Sequence, residues 1–85
     1  MPRYDVEVRV MPRAALLDPQ GQAVEHALTA LGFQGVARVR VGRALTFELE
    51  RRDGAEAEGD ARAMCERLLA NPVTEDFTFV VRVHA

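Results

Sequence analysis

Few side chains in this sequence have the type and spacing that chemistry needs. The chain carries two histidines and one cysteine, has no Ser, Lys, Ile or Trp, and draws all 11 of its basic residues from Arg. Without Ser or Lys there is no serine nucleophile, no Schiff-base lysine and no phosphate-loop lysine. His26 falls on the outer side of a predicted helix near Gln22 and Glu25, and His84 is the penultimate residue. Neither has a His or Cys three or four residues away, the spacing a metal site uses, so both read as solvated groups and no metal is expected. Cys65 lies beside Met64 and Leu68 on an apolar helix face, where a thiol behaves as a small hydrophobe. No catalytic or cofactor-binding residue is assigned. The densest cluster is basic: Arg38, Arg40 and Arg43, with Arg51 and Arg52 nearby. One reading is a solvated sheet face, with Arg38 and Arg40 pairing to Glu48 or Glu50 for about 0–1 kcal/mol each. The other is a hairpin that binds an anion or a partner.

Gly32-Phe33-Gln34-Gly35-Val36 resembles the phosphate-loop signature of acylphosphatases. In that family the glycine-rich loop follows the first strand and opens the first helix, where backbone amides cradle the anion. Here it follows the first helix, Val39 stands where the family has its arginine, and the one Asn, Asn71, sits at a helix end. The segment therefore reads as a turn.

The elements that must position the arginines follow from periodicity. Tyr4, Val6, Val8 and Val10 alternate with Arg3, Asp5, Glu7 and Arg9, the period of a half-buried strand. Met11-Pro12-Arg13 ends it. Asp18 then reads as an N-cap with Pro19 at the first helical position. Ala23, Val24, Ala27, Leu28 and Leu31 make one apolar stripe, and Gly32 caps a helix over about residues 18–31. Ala37, Val39 and Val41, then Leu45, Phe47 and Leu49, predict a hairpin closed by Gly42-Arg43-Ala44. Opposed residues share a face, so Val41 should face Leu45, Val39 Phe47 and Arg38 Glu48. Asp53-Gly54-Ala55-Glu56 is a capping box opening a second helix, stopped by Asn71-Pro72. Residues 73–83 alternate again, with Phe77, Phe79, Val81 and Val83 on one face. The order β-α-β-β-α-β predicts an α+β, ferredoxin-like two-layer sandwich: an antiparallel sheet with two helices on one face.

Composition bounds the function. With 85 residues, a net charge of −2, 48% hydrophobic and 28% charged residues, the chain is globular. The usual size scaling leaves roughly 5,000 Å² exposed of about 13,600 Å² in the unfolded chain, a thin margin that association would improve. The final stretch is longer than a four-stranded sheet needs, and its excess near Val80 to Val83 is expected to add to a neighbour's sheet edge. A homodimer or higher homo-oligomer is expected. The negative charge and the absence of aromatics on the open face argue against nucleic acid. No apolar run approaches 18 residues and a strand pattern begins by Tyr4, so neither a membrane span nor a signal peptide is expected. The expectation is a cytoplasmic binding module.

Several segments resemble one family, PurS, the small subunit of phosphoribosylformylglycinamidine synthase. They are Leu17-Asp18-Pro19-Gln20-Gly21 with Ala23-Val24, Leu28 to Gly32, Val39-Arg40-Val41-Gly42-Arg43, and Cys65 to Phe77 with its Leu-Leu-Ala-Asn-Pro-Val core. The resemblance spans nearly the whole chain and implies a single PurS-like domain over residues 1–85. It implies a non-catalytic subunit that bridges a glutaminase subunit and a synthetase subunit and supports ammonia transfer. The assembled enzyme would convert formylglycinamide ribonucleotide to its amidine, using ATP, Mg and glutamine that this subunit does not itself bind. Arg38, Arg40, Gly42 and Arg43 are the candidate partner-binding residues. Asp18, Pro19, Gln20, Gly21, Asn71 and Pro72 match the family motif and also explain a helix start and a helix stop. Arg43 stands where the family usually has Lys, which keeps the charge and changes the donor geometry. An ACT-like regulatory module that binds a small molecule is the alternative.

Overall fold

The alternation that begins at Tyr4 builds the centre of the sheet. A computed structural model describes the whole chain, Met1–Ala85. The elements are β1 (Arg3–Pro12), α1 (Pro19–Ala30), β2 (Arg43–Glu50), α2 (Gly54–Met64) continued by a π-helical turn over Cys65–Leu69, and β3 (Glu75–Val83). The sheet is antiparallel with strand order β2-β1-β3. The fold is ferredoxin-like α+β, as expected, with three strands where the pattern suggested four.

Register gathers the apolar residues on one face. Tyr4 lies opposite Leu49 and Val83, Val6 opposite Phe47 and Val81, and Val8 opposite Leu45 and Phe79. Val8 and Val10 are fully buried and pack in one core cluster with Ala61 and Cys65 of the second helix, where Ala57 is buried as well. Those three small side chains let the helix approach the strands closely, and α2 covers β1 and β3. Asp53 caps α2 by accepting from the Glu56 amide at 2.9 Å, as the capping box requires. On the open face Arg3 reaches Glu48 at 3.4 Å and Glu50 at 3.3 Å, while His84 lies 2.8 Å from Asp5. These are exposed pairs of small individual worth.

Two expectations fail on the same physical ground, the destination of backbone hydrogen bonds. Residues 37–41 are not a strand, so there is no hairpin, Arg38 does not face Glu48, and Val41 does not oppose Leu45. Side-chain carboxylates take the Val39 and Val41 amides, which removes the donors a ladder would use. Residues 80–83 are not surplus either. β1 is 10 residues long, and all of it after Arg3 pairs with β3, from Pro12 opposite Glu75 to Tyr4 opposite Val83. The third departure concerns α1. Its apolar stripe makes no extensive contact with a strand, and Gly21 is its one buried residue.

Stability should therefore rest on the β1 stripe. Val8→Ala removes two buried methyl groups and leaves a cavity, and should lower unfolding free energy by about 2 kcal/mol in urea titration. Val80→Ala, on the open face, should stay within about 0.5 kcal/mol.

Candidate partner-binding site

The arginines of interest are positioned by a carboxylate. Asp18 precedes α1 with Pro19 at the first helical position, and its side chain is 7% exposed. One carboxylate oxygen accepts from the Gly21 amide at 3.1 Å, closing the first turn. The other accepts from the Val41 amide at 2.8 Å. One helical face further along, Glu25 accepts from the Val39 amide at 3.3 Å. The segment before β2 is thus laid along α1 by two acidic side chains two turns apart. Gly21 is required where they meet, since an added Cβ would overlap the Val39 carbonyl oxygen and crowd Asp18. Gly42 is required at the exit, where a Cβ would strike the Val10 carbonyl oxygen and the Met11 sulfur.

Residues 13–42 form a lobe outside the sheet. Arg38 adopts φ +56°, a left-handed conformation uncommon outside Gly, which turns the chain and ends any strand geometry there. Its guanidinium is exposed and makes no hydrogen bond or ion pair. Arg40 donates from Nη2 to the Arg13 carbonyl at 2.7 Å, tying the segment to the loop after β1. Its Nε is buried without a partner. A cleft lies between Ala14–Leu17, the first turns of α1 and Arg38–Arg40. Leu16, Leu17, Val24, Leu31 and Phe33 are exposed on the same lobe. Because Asp18 and Glu25 spend their oxygens on backbone amides, what the lobe presents outward is apolar with one free guanidinium, Arg38, and both residue classes are common at interfaces.

Arg43 lies elsewhere. It opens β2 and forks onto Glu75 at 2.5 and 3.0 Å while donating to the Leu69 carbonyl at 2.5 Å. Glu75 also accepts from the Asn71 amide at 2.7 Å, and the Asn71 side chain accepts from the Val73 amide at 2.9 Å. Arg13 donates to the Pro72 carbonyl at 2.5 Å. Arg43, Asn71 and Pro72 therefore form one joint that ends the π-helical turn and starts β3. The candidate residues fall into two groups: Asp18, Pro19, Gln20, Gly21, Arg38, Arg40 and Gly42 in the lobe, and Arg43, Asn71 and Pro72 in the joint. Sequence reasoning missed Glu25, Arg13 and Glu75. For Glu25 a signal existed, since it stands two helical turns after Asp18 on the same face.

The electrostatics follow these contacts. The Val41 amide, and then the Gly21 amide, hold the Asp18 carboxyl below the usual carboxylate range. The Arg43 guanidinium, and then the Asn71 amide, do the same for Glu75. Burial pushes the Cys65 thiol up, toward the inert protonated form. Asp5, Glu48 and His84 bring potential ligand atoms within 4.8 Å of one another on the open sheet face. All three are exposed, and each is already paired with a neighbour or with Arg3.

This geometry has close counterparts. Residues 5–83 match the family model PurS, described as phosphoribosylformylglycinamidine (FGAM) synthase. A relative from Mycobacterium leprae, phosphoribosylformylglycinamidine synthase subunit PurS, is 48% identical over 71 residues, covering 84% of this chain and 86% of the relative. The solved structure of Thermus thermophilus PurS superposes with a TM-score of 0.88 at 39% identity, covering 99% of this chain and 100% of that one. A chain of the structure of PurLQS from Thermotoga maritima gives a TM-score of 0.88 at 28% identity, covering 95% and 99%.

Acid should release the lobe first. A carboxyl whose folded pKa lies below its unfolded value stabilises above that unfolded value and loses the contribution as pH falls through the folded one. Below the ordinary 3.8 of Asp18, hydrogen-exchange protection of the Val41 and Gly21 amides should fall while β1 amides stay protected. Asp18→Asn, which sets an NH2 against one of the two amides, should reproduce that loss at neutral pH.

Proposed function

The chain belongs to the PurS family, the small subunit of phosphoribosylformylglycinamidine synthase in purine biosynthesis, and from that premise we propose that it acts as an adaptor. In this reading it holds a glutaminase subunit and a synthetase subunit together in the cytoplasm and supports the passage of ammonia between them. ATP, Mg and glutamine are handled by the complex. The observation that carries the reading is the lobe of residues 13–42, which exposes Leu16, Leu17, Val24, Leu31 and Phe33 beside an unpaired Arg38. A side chain such as Leu31, 75% exposed, or Leu17, 73% exposed, gains about 1.5–3 kcal/mol on full burial, and several together supply an interface. The assembly in which the Thermotoga maritima counterpart was solved, PurLQS, supports a role of this kind.

The same apolar surplus supports a homo-oligomer as the working form. A lone chain with this much uncovered surface gains by associating with a copy before or while it meets the larger subunits.

Reconstitution tests the adaptor reading. The purified chain alone should neither hydrolyse glutamine nor aminate formylglycinamide ribonucleotide. Added to the two larger subunits, it should restore glutamine-dependent amidine formation. Equal activity of those subunits without it would defeat the proposal. Arg38→Ala should leave the circular dichroism unchanged and weaken complex formation about tenfold, or 1.4 kcal/mol, by calorimetry. Arg43→Ala should instead loosen the joint with Glu75 and lower thermal stability as well.

A further inference from the structure

Asp5 and Glu48 stand directly opposite each other on the open face of the sheet. Like charges in that position repel and weaken the pairing of their strands. The neighbouring cations do not cancel the repulsion. Arg82 lies directly opposite Asp5 on the other side, yet makes no ion pair. Arg3 is divided between Glu48 at 3.4 Å and Glu50 at 3.3 Å. Glu7 lines the same groove as Asp5, Glu48 and Arg82. Four carboxylates against the guanidiniums of Arg3 and Arg82 leave this patch a local charge of −2.

The group that turns toward the two acids is an imidazole. His84 follows the end of β3, and its amide donates to the Arg3 carbonyl at 2.9 Å, which seats it beside β1. Its Nδ1 lies 2.8 Å from Asp5 Oδ1. One ligand atom from each of Asp5, Glu48 and His84 thereby falls within 4.8 Å of the others. A tetrahedral zinc ion with bonds of about 2.0–2.2 Å holds its ligand atoms roughly 3.4 Å apart. Small side-chain rotations reach that spacing, and all three side chains are between 39% and 53% exposed, with room to make them. Glu48 can leave Arg3 at little cost, because the pair is exposed and Arg3 keeps Glu50.

We propose that Asp5, Glu48 and His84 bind a divalent transition-metal ion of the zinc class, with water completing its shell. The ligand set decides the class. One imidazole nitrogen with two carboxylate oxygens suits zinc and its neighbours, whereas magnesium and calcium take shells of oxygen. The ion cancels the charge of the patch and ties the end of β3 to β1 and β2. No spacing in the sequence announces the site, since positions 5, 48 and 84 meet only through the register of the sheet. It lies away from the lobe and does not depend on the adaptor reading.

Calorimetry on the full, untagged chain tests it. His26, the other imidazole, is exposed on α1 and serves as the control, while Cys65 is fully buried and offers no thiol. Zinc chloride should bind at one ion per chain, and magnesium chloride should give no binding. His84→Ala and Glu48→Gln, both at exposed positions, should keep the circular dichroism and each weaken zinc at least tenfold. His26→Ala should leave the affinity unchanged. Zinc should raise the thermal midpoint of the unmutated chain by a few degrees and that of His84→Ala not at all. In NMR spectra the His84 ring signals should move on zinc addition while those of His26 stay. No binding at submillimolar zinc, equal affinity in His84→Ala, equal binding of magnesium, or movement of His26 in place of His84 overturns the site.

Discussion

The Asp18 carboxylate is shared between two backbone amides, one in its own helix at Gly21 and one 23 residues on at Val41. Nearly everything distinctive about the chain depends on that arrangement. A buried carboxylate must be satisfied, and this one is satisfied by amides rather than by a cation. It caps α1, and in the same act it takes residues 38–41 away from the sheet. Gly21 permits the close approach, and Glu25 repeats the capture at Val39. What results is a lobe with its own internal hydrogen bonds, whose two acids are spent inward and whose Arg38 and leucines are left outward.

The sheet and the lobe then divide the work. β1 with its two neighbours, under α2, supplies a small core that is stable through burial of Val6, Val8, Val10 and the small helical residues. The lobe contributes little to that core. Its exposed apolar side chains add nothing to the stability of the isolated chain. The joint of Arg43, Glu75 and Asn71 sits on the sheet side, fixing the start of β2 against the start of β3. Residues matching the PurS motif therefore build the framework of the lobe, while Leu16 and Phe33 among its exposed apolar side chains lie outside that motif.

Much of this was legible in the order of residues. The alternation from Tyr4 to Val10, the Asp18-Pro19 helix start, the Asp53 capping box and the Asn71-Pro72 stop each depend on neighbours within a few positions. Each formed where its pattern placed it. The Ala37-Val39-Val41 alternation misled because it is a true strand pattern whose amides are claimed by carboxylates from a helix. Residues 80–83 misled in the opposite sense, since their length looked surplus only while the length of their partner strand was uncertain.

The sequence by itself determined every element except the strand expected at residues 37–41, the apolar face of the three strands that form and, through its motifs, the family. The tertiary structure alone decided which amides the Asp18 and Glu25 oxygens would take, that Arg43 would turn to Glu75 while Arg38 stayed free, and that α1 would lie outside the core cluster. The reason is range. Periodicity and capping are local and can be read from spacing, whereas a carboxylate choosing between an amide in its own helix and one beyond it depends on distances set only when the chain is folded.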